Sequence, residues 1–562
     1  MRDKTDMIAD RKEVPVVKTK LKASLDERPS PPTRLAGHAI VEELIAYGVD
    51  TAFAVPGESF LAVLDGLYEY QNDIHLVTAR QEGGASMMAA AYGRITGAPG
   101  VCIVTRGPGA TNASIGVHVA AQDASPMLLL VGQVPERNRE RVAFQEIDYS
   151  AMFASVAKSV VEIASPDRAG EQMSRALALT TSGEPGPVVV VLPEDMLTQM
   201  TAAPPVRSAP PRRPIPSDAE IAEVTELLSA SQKPVIVAGR CDWTVTARER
   251  MREFAEASDI PVVTAVRCQD LIDNDSLAYA GTLGLNTSPG LPALVEEADL
   301  IILLGTRPDA LSMGDYSLLT PPRSAATMIH VYPDPDVFGR VYAVDLGIPV
   351  SPEQFLGELP DRVVASPQRS EWRQRLRKND MRRSAQSADD SLAADFMRVF
   401  AEVMPTDTIT TAGAGNYTAW QQRHRRFTAF PSQVASQSGA MGYGIPAGVV
   451  AAHLYRDRTV VTFSGDGCFM MTGQELATAA VEELDLMVVL VNNSRFGTIR
   501  DHQDRGFPGR VSGTDLQNPD FTMLARSYGA QTANAENPEE FRAELERLKG
   551  ESGLRLIEVK IS

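Results

Sequence analysis

The sequence predicts an α/β protein of three domains, each built on a doubly wound parallel sheet. The chain has 562 residues, which is too long for one ordinary hydrophobic core. Short apolar strands alternate with amphipathic helical segments, a pattern typical of parallel sheets that helices cover on both faces. Two polar segments, 201–218 and 365–390, divide this alternation into three parts.

The first predicted domain covers residues 35–200. Its segment AGHAIVEELIAYGV has the spacing of a helix with one apolar face. Apolar segments that predict strands follow at intervals, and these are TAFAVPG, GVCIVTRGPG, MLLLVGQVP and GPVVVVLPED. Residues 1–34, which precede this domain, have no apolar signal core, and we expect a flexible leader there.

The second and third domains repeat the alternation. The prolines of segment 201–218 favour an extended linker. The central domain, residues 219–364, has predicted strands in KPVIVAGR, IPVVTAV, ADLIILLGTR and TMIHVYPD. Segment 365–390 is charged and predicts a second linker. The third domain, residues 391–562, has predicted strands in DTITTAGAG, TVVTFSGDG, LMVVLVNN and LRLIEVKIS.

Composition excludes several classes of function. The formal net charge is −18, which argues against a nucleic-acid or anionic-membrane partner, since both attract basic proteins. There are four cysteines and no CxxC pair, so we expect neither disulfides nor a zinc site, and a reducing cytoplasm fits. No apolar run is long enough to predict a membrane span.

The segment from Phe463 to Gly497 carries the clearest chemical signal. The strand TVVTFSGDG ends in Asp466 between two glycines, and the strand LMVVLVNN ends in two asparagines. A helical segment, MMTGQELATAAVEEL, separates the two strands, so both point the same way and Asp466 and Asn493 are expected to be neighbours. Carboxylate and amide oxygens suit Mg²⁺ or Ca²⁺, and the glycines let a phosphate approach the backbone. Each motif alone could be a tight turn or a helix cap, but together they predict a magnesium–diphosphate site.

With these motifs, the chain from Leu35 to Ser562 resembles the thiamine-diphosphate-dependent enzymes, in particular the group of acetolactate synthases, pyruvate decarboxylases and pyruvate oxidases. The GDG…NN pair is the family's signature. Three more segments resemble family motifs: Arg80–Asn112, GAGNYTAWQQRHRRF and GAMGYGIPAG. The resemblance implies a pyrimidine-binding, a Rossmann-like central and a diphosphate-binding domain, in that order. It also implies thiamine diphosphate, Mg²⁺, a 2-oxo acid substrate such as pyruvate, and a homodimer or homotetramer with sites at the dimer interface.

The resemblance implies roles for individual residues. Asp466, Asn493 and the backbone carbonyl of Arg495 would bind the metal. Glu82 would accept a hydrogen bond from the aminopyrimidine ring, although it could also be a helix cap. The other cofactor-binding residues implied by the motifs are Gly415, Asn416, Tyr417, Gly439, Met441, Gly465, Gly467 and Cys468. Of these, Met441 could equally be an ordinary core residue.

Two further residues are expected near the reacting carbon. The resemblance implies this position for Gln145, whose alternative is an exposed polar turn. Glu58 stands where acetolactate synthases have glycine, and decarboxylases of this group have an acid there. An acid beside the reacting carbon could donate a proton and repel a second carboxylate substrate. The alternative for Glu58 is a solvent-facing residue at a helix start.

Several departures from the family pattern leave the reaction open. Leu311 takes the place of a carboxylate-binding arginine, and His502 that of a tryptophan in the second-substrate pocket. With Glu58 they argue against biosynthetic acetolactate formation, so we expect an acetolactate synthase-like carboligase or lyase, with a non-ligating 2-oxo acid decarboxylase as the alternative. The central domain lacks the glycine run typical of FAD binding, so an empty structural domain is expected rather than FAD. Two more candidate functions are a flavin-linked oxidase and a catalytically silent regulatory subunit; silent relatives would be expected to lose Glu82 or a metal ligand.

Overall fold

A computed structural model describes residues 33–206, 213–285, 287–364, 366–386 and 392–561. It contains three six-stranded sheets, and every strand pair within them is parallel. Each sheet forms one domain, here called the N-terminal, central and C-terminal domain, with helices on both faces. This confirms the predicted fold class. The predicted leader lies almost wholly outside the described residues.

The N-terminal domain has its strands in the order β3-β2-β4-β5-β7-β6. Two clusters of buried apolar side chains fill its two faces. A short antiparallel pair, β1 with β8, joins the two ends of the domain. The elements are β1 Arg34–Leu35, α1 Ala36–Ala46, β2 Thr51–Ala54, α2 Leu61–Glu69, β3 His75–Thr78, α3 Glu82–Thr96, β4 Gly100–Val104, α4 Pro108–Gln122, β5 Met127–Gln133, α5 Tyr149–Phe153, β6 Ser159–Glu162, α6 Ala169–Thr181, β7 Pro187–Pro193, α7 Glu194–Leu197 and β8 Met200–Thr201.

The central domain has the strand order β11-β10-β9-β12-β13-β14, again with an apolar cluster on each face. Ser217 and Glu220 form a reciprocal capping box that begins its first helix, so the proline-rich segment ends there. The elements are α8 Asp218–Ala230, β9 Pro234–Ala238, α9 Val245–Ala257, β10 Val262–Thr264, β11 Tyr279–Thr282, α10 Leu291–Glu296, β12 Leu300–Leu304, β13 Thr327–Val331, β14 Leu346–Ile348, α11 Pro352–Glu358 and α12 Pro367–Gln386.

The C-terminal domain has the order β16-β15-β17-β18-β20-β19. One of its faces has its own core, and the other face shares a core with the N-terminal domain. The elements are α13 Leu392–Val403, β15 Ile409–Ala412, α14 Tyr417–His424, β16 Gln433–Ala435, α15 Gly444–Leu454, β17 Val460–Gly465, α16 Asp466–Thr472, α17 Leu476–Val481, β18 Leu486–Asn492, α18 Gly497–Gly506, α19 Phe521–Ser527, β19 Gln531–Ala535, α20 Pro538–Leu548 and β20 Leu554–Lys560.

The predicted linker over residues 365–390 is wrong for most of its length, because helix α12 occupies it and belongs to the central domain. Trp372 and Leu376, one helical turn apart, are buried in a core cluster of that domain. Trp372 Nε1 donates a hydrogen bond to the carbonyl oxygen of Pro234, at 3.0 Å. Arg369 is also buried, and its guanidinium donates to the carbonyl of Ser231 at 2.9 Å. These contacts attach a very polar helix to the sheet.

The helix predicted between the GDG and NN motifs is interrupted. Helices α16 and α17 are separated by a short 3₁₀ segment, Gly473–Glu475. A Cβ on Gly473 would lie 2.7 Å from the ring of Phe469. A glycine at this position therefore lets the backbone turn close to that ring. The interruption directs Glu475 toward the N-terminal domain, as described below.

The N-terminal and C-terminal domains of one chain are joined by a continuous core. Helix α3 packs against α4 of its own domain and against α15 of the C-terminal domain. The buried side of α3 consists mainly of glycine, alanine and serine, which lets these helices approach closely. Within the described ranges, no helix combines the length and the apolar character that crossing a membrane requires.

We predict that Gly93→Ala destabilises the protein. A Cβ at Gly93 would lie 2.1 Å from the carbonyl oxygen of Pro126, and that backbone atom cannot rotate away. The expected loss is about 1–3 kcal/mol of the free energy of unfolding, as for other overpacked sites. Chemical denaturation followed by fluorescence measures it. Gly357→Ala is the matched control, because Gly357 is helical and its Cβ would meet no atom within 4 Å. Equal stability of the two variants would contradict the close packing.

Candidate cofactor site

The GDG and NN motifs meet at one edge of the C-terminal sheet. Strands β17 and β18 pair in parallel from Val460 with Leu486 to Gly465 with Val491. Asp466 and the asparagines therefore follow adjacent strand ends, as the sequence predicts. This is the sheet edge at which ligands bind in doubly wound folds.

Asp466 is buried, with 3% of its surface exposed, and neutral donors surround its carboxylate. The backbone N–H of Gly467 donates to Oδ1 at 2.9 Å, and Asn518 Nδ2 donates to Oδ2 at 2.8 Å. Asn518 Nδ2 also donates to Asn492 Oδ1 at 2.9 Å. Asn518 thus connects the two motifs. The sequence analysis missed it because a single asparagine in a polar loop carries no signal of its own.

The second asparagine and the residue after it form a tight turn. Asn493 Oδ1 accepts a hydrogen bond from the backbone N–H of Arg495 at 3.3 Å, and Arg495 Nε donates to the Asn493 carbonyl at 3.2 Å. Between them Ser494 has a positive φ of 52°. The turn holds the Asn493 side chain at the strand end. The role expected of the Arg495 carbonyl stays a prediction.

The GAGNY segment converges on the same place. A Cβ on Gly497 would lie 3.0 Å from Asn493 Nδ2 and 3.6 Å from Asn416 Nδ2, so a glycine there lets the two amides come together. A Cβ on Gly465 would lie 3.1 Å from the ring of Tyr417. Gly415, with φ of 148°, provides the turn that begins this approach. Asn416 in addition donates to Asp501 Oδ2 at 2.7 Å.

Cys468 links the loop before α15 to this edge of the C-terminal sheet through hydrogen bonds. Its buried Sγ accepts hydrogen bonds from the backbone N–H of Gly442 at 3.0 Å and from the Tyr417 hydroxyl at 3.2 Å. Burial raises the pKa of Tyr417 well above its ordinary value, which keeps the hydroxyl protonated as a donor. Met441, next to Gly442, is half-buried against the core of the C-terminal domain. Gly439 lies in the same loop and has a positive φ of 66°.

Glu82 lies at the corresponding edge of the N-terminal sheet. It is the first residue of α3 and is half-buried. Its Oε2 accepts a hydrogen bond from Asn112 Nδ2 at 2.9 Å. Its Oε1 would be 3.5 Å from a Cβ on Gly109, the second residue of α4. Among the described residues, no hydrogen bond or ion pair joins Glu82 to the Asp466 group, so one chain presents two separate halves of the predicted site.

Gln145 lies on the Glu82 side. Its backbone has a positive φ of 65°, and it packs on Gly107, whose φ is 61°. A Cβ on Gly107 would lie 2.7 Å from the Cβ of Gln145. The N–H of Gly107 donates to the Tyr149 hydroxyl at 2.8 Å. A non-glycine residue in this conformation is strained, and such strain is common at functional sites.

Comparison with protein families agrees with this geometry. Residues 34–152 match the N-terminal TPP binding domain of thiamine pyrophosphate enzymes, residues 221–359 match their central domain, and residues 413–559 match their C-terminal TPP binding domain. The three matches cover well over half of the chain. The chain belongs to the thiamine pyrophosphate enzyme family. Thiamine pyrophosphate is the same molecule as thiamine diphosphate.

Three individual relatives show that the similarity extends to acetolactate synthases. The acetolactate synthase large subunit of Corynebacterium glutamicum is 32% identical over 532 residues, which cover 91% of this chain and 84% of the relative. The acetolactate synthase isozyme 2 large subunit of Escherichia coli is 30% identical over 527 residues, 93% of this chain and 94% of the relative. The acetolactate synthase of Mycobacterium bovis is 32% identical over 523 residues, which cover 89% of this chain and 84% of the relative. This thiamine pyrophosphate enzyme is therefore acetolactate synthase-like.

Glu58 of this enzyme is paired with a cation that the sequence analysis did not consider. Arg106 Nη2 donates to Glu58 Oε1 at 3.0 Å, and Arg106 Nη1 donates to Glu194 Oε2, also at 3.0 Å. Arg106 itself is buried. It lies just after strand β4, four residues beyond Cys102, which is at the buried centre of that strand. Glu58 is thus held by a guanidinium that two carboxylates share, and its charge is partly neutralised.

Glu475 is a second residue that the sequence analysis missed. It is fully buried and accepts hydrogen bonds from the backbone N–H groups of Arg80 and Gln81, at 3.2 Å and 3.1 Å. The Thr478 hydroxyl donates to it at 2.7 Å. Burial raises the pKa of Glu475. Since Arg80 and Gln81 directly precede Glu82, a residue of the C-terminal domain holds the turn that positions Glu82.

A separate cleft of about 500 Å³ opens at the carboxyl ends of strands β9 and β12 in the central domain. Leu311 lines it, and so does Arg307, which forms an ion pair with Glu184 at 2.8 Å. Arg307 also donates to the backbone carbonyl of Gln122, so its charge already has protein partners. The expectation that the central domain holds no FAD stays a prediction. His502 lies elsewhere, exposed on α18.

We predict that Glu475→Ala destabilises the contact between the two outer domains. The backbone N–H groups of Arg80 and Gln81 would lose their acceptor inside the protein, at an expected cost of about 1–3 kcal/mol. Thermal and chemical denaturation measure the loss. Glu539→Ala is the control, because Glu539 is exposed on α20. An unchanged unfolding midpoint for Glu475→Ala would show that this carboxylate does not support the turn before Glu82.

Proposed function

We propose that this enzyme uses thiamine diphosphate and Mg²⁺ to cleave or form a carbon–carbon bond next to the carbonyl of a 2-oxo acid such as pyruvate. One observation carries the proposal: a buried carboxylate, Asp466, lies with Asn493 and Asn416 at the carboxyl edge of the C-terminal sheet. The acetolactate synthases among its relatives support a reaction of this class.

The surroundings of Asp466 fit a divalent cation. Its two oxygens accept hydrogen bonds from the neutral donors Gly467 and Asn518. Within the part of the chain that the structure describes, no lysine, arginine or histidine forms an ion pair with either oxygen. A buried carboxylate without a cation is unfavourable, and hard oxygen donors are the ligands that Mg²⁺ prefers. Asp466 and the amide oxygen of Asn493 would hold the metal.

The adjacent glycines fit a diphosphate. Gly465 and Gly467 flank the acid, and a Cβ on Gly467 would lie 2.5 Å from the ring of Phe496. Helix α16 begins at Asp466, and the N–H groups of its first turn have no acceptor within the helix and suit phosphate oxygens, apart from that of Gly467, which donates to Asp466. Asn416 on the opposite side offers an amide. Met441 would support the cofactor ring from the half-buried loop before α15.

In the proposed mechanism, the chain holds and polarises a cofactor that carries the reactive carbon. Thiamine diphosphate, when bound, supplies a carbon nucleophile for the ketone carbonyl of the substrate. The carboxylate of Glu82 would accept a hydrogen bond from a ring nitrogen of the aminopyrimidine and hold the proton there. Asn112, which donates to Glu82 at 2.9 Å, orients that carboxylate. Gln145 would contact the substrate from the strained turn next to Gly107.

A complete site would need two chains. Among the residues that the structure describes, no hydrogen bond or ion pair joins the Glu82 and Asp466 groups of one chain, whereas the proposed cofactor must touch both. A homodimer, or a homotetramer built from dimers, would bring the Glu82 half of one chain to the Asp466 half of its partner and form two equal sites. A cytoplasmic location belongs to the same proposal.

The ion pair of Glu58 bears on the choice between ligation and simple decarboxylation. An isolated carboxylate would repel a second 2-oxo acid strongly, by roughly 4 kcal/mol at about 4 Å and an effective dielectric of 20. The Arg106 guanidinium 3.0 Å away offsets much of this repulsion. Together with the acetolactate synthases among the relatives, this favours carbon–carbon ligation. A non-ligating decarboxylase is the second candidate, supported by the acid at position 58 itself.

A regulatory subunit and a flavin-linked oxidase have less support. A silent regulatory subunit has no need of Glu82, Asp466 and Asn493, and all three are present at the sheet edges. A flavin-linked oxidase would need FAD in the central cleft, where Arg307 is already paired with Glu184. A yellow purified protein would favour the oxidase.

We predict that Asp466→Ala abolishes tight binding of thiamine diphosphate in the presence of Mg²⁺. The metal would lose its charged protein ligand, and the diphosphate would lose its counter-ion. Isothermal titration calorimetry should show more than about a tenfold loss of affinity, equivalent to ~1.4 kcal/mol. Asp457→Ala is the matched control, because Asp457 is exposed before the amino end of the same strand, β17. Wild-type affinity in Asp466→Ala would refute the metal assignment.

The variant Glu82→Gln separates binding from chemistry in the same assay. It keeps the shape of the side chain and a hydrogen bond, but removes the charge. Cofactor affinity should stay close to that of the wild type while turnover of pyruvate falls by orders of magnitude. Full turnover in Glu82→Gln would exclude Glu82 from catalysis.

We predict that Glu58→Gly raises the share of ligated product when pyruvate is supplied. The substitution leaves Arg106 Nη2 free to attract the carboxylate of a second substrate. The expected change in the ratio of hydroxy-oxo acid to aldehyde is about tenfold, or ~1.4 kcal/mol. Product analysis by NMR measures the ratio. Glu194→Gln, which alters the other partner of Arg106, is the control and should change the ratio less. An identical ratio in wild type and Glu58→Gly would show that Glu58 faces away from the site.

A further inference from the structure

A second group of metal-binding side chains lies outside the proposed active site, where the N-terminal and C-terminal domains of one chain meet. It consists of His75, the first residue of β3, His453, in the last turn of α15, and Glu482, the residue after α17. None of these residues has a role in the cofactor site. One ligand comes from the N-terminal domain and two come from the C-terminal domain.

The three side chains already converge. One ligand atom from each lies within 4.8 Å of the other two. His75 Nε2 is 2.7 Å from Glu482 Oε2, and the rings of His75 and His453 are stacked with centroids 5.6 Å apart and an interplanar angle of 11°. Ligand atoms around one zinc ion are about 3–4 Å apart, given bonds of roughly 2.0–2.2 Å. Small side-chain rotations would therefore complete a coordination sphere.

The protein itself does not satisfy this group fully. His453 Nδ1 is buried and has no hydrogen-bond partner among the described residues. The side chain of Glu482 is only 10% exposed, and its one ionic partner in the described chain is a histidine, which carries a full charge only when protonated. His75 is 52% exposed, so an ion can reach the group from solvent. A buried, unused ring nitrogen beside a largely buried carboxylate is what a bound cation would satisfy.

We propose that His75, His453 and Glu482 bind one divalent transition-metal ion, with Zn²⁺ the best fit. Two imidazoles and one carboxylate form a zinc ligand set that leaves a fourth position for water. The imidazoles disfavour Mg²⁺ and Ca²⁺, which prefer all-oxygen surroundings. The site is thus chemically distinct from the proposed Mg²⁺ site at Asp466, which has only oxygen and amide groups.

The ion would fix the packing of the two domains from the side away from the cofactor. Strand β3 begins at His75 and leads toward Arg80 and Gln81, whereas Glu475 and Glu482 flank the two ends of α17. Glu475 already joins the two elements at their other ends through the Arg80 and Gln81 N–H groups. A metal at His75 and Glu482 would join them a second time. The ion would therefore cross-link the two domains and support the turn that positions Glu82.

The test uses the full chain with saturating thiamine diphosphate and Mg²⁺, so that the cofactor site is occupied. The protein is first freed of metal with a chelator and then saturated with thiamine diphosphate and Mg²⁺, and Zn²⁺ is titrated into it calorimetrically. We expect one Zn²⁺ per chain beyond the cofactor metal, and a loss of roughly tenfold or more in affinity for His75→Ala and for Glu482→Gln. His38→Ala is the matched control, because His38 has the same histidine–carboxylate contact, 2.7 Å from Asp65, but no second histidine.

Co²⁺ provides a second readout that does not depend on stability. Four-coordinate Co²⁺, bound by two imidazoles, one carboxylate and a water molecule, should give an intense visible absorption band. His453→Gln should remove this band. His75→Ala keeps the test valid if His453→Gln fails to fold, since His75 is half-exposed. Zn²⁺ affinity or a Co²⁺ band that is the same in wild type, His75→Ala and Glu482→Gln would overturn the proposal. So would the absence of any Zn²⁺ binding beyond that of the cofactor site.

Discussion

The close packing of helix α3 is the constraint on which the rest of the structure depends. Glu82 is the first residue of α3, so the position of its carboxylate follows from where that helix lies. Glycine, alanine and serine on its buried side let α3 lie directly against α4 and α15. A Cβ on Gly116 of α4 would lie 2.4 Å from Ser86, and one on Gly100 of β4 would lie 1.9 Å from the Ala89 carbonyl oxygen. Larger side chains would move Glu82 away from its sheet edge.

The same packing explains why the two outer domains act as one body. Their shared core includes Phe53 and Val104 from one sheet and Val460 and Leu490 from the other. Glu475 crosses this boundary to the turn before Glu82, and the histidine–glutamate group crosses it on the far side. Residues on both domains therefore hold the Glu82 turn, although the Asp466 group that completes the proposed site would come from a partner chain.

Charge is arranged differently at the two sheet edges. Around Asp466 the donors are neutral, which leaves the carboxylate free to bind a metal. Around Glu58 the buried guanidinium of Arg106 is shared with Glu194, which lowers the net charge near the proposed reacting carbon. A residue type at one sequence position is therefore a poor guide to substrate, because the partner that sets its effective charge comes from another strand end.

The sequence by itself determined the fold class and the meeting of Asp466 with the two asparagines at one sheet edge. The interior strands of each sheet, such as β5 and β18, are continuous apolar runs because they are buried on both faces, and the alternation of such runs with helices predicts parallel sheets. Asp466 and Asn493 were predicted to be neighbours because consecutive parallel strands end at one edge. Local pattern is enough for these conclusions, since each depends on residues close together in the chain.

Only the tertiary structure decided the rest. The edge strands carry no long apolar run that would mark them in the sequence: β3 has one fully buried residue among its four, and β16 is three residues long, since an edge strand has only one neighbour. Helix α12 resembles a linker in sequence, since Trp372 and Leu376 are its few apolar anchors among many charged residues. Asn518, Arg106 and Glu475 act through partners far away in the sequence. No local pattern encodes such contacts, because they exist only once separate strand ends are brought together.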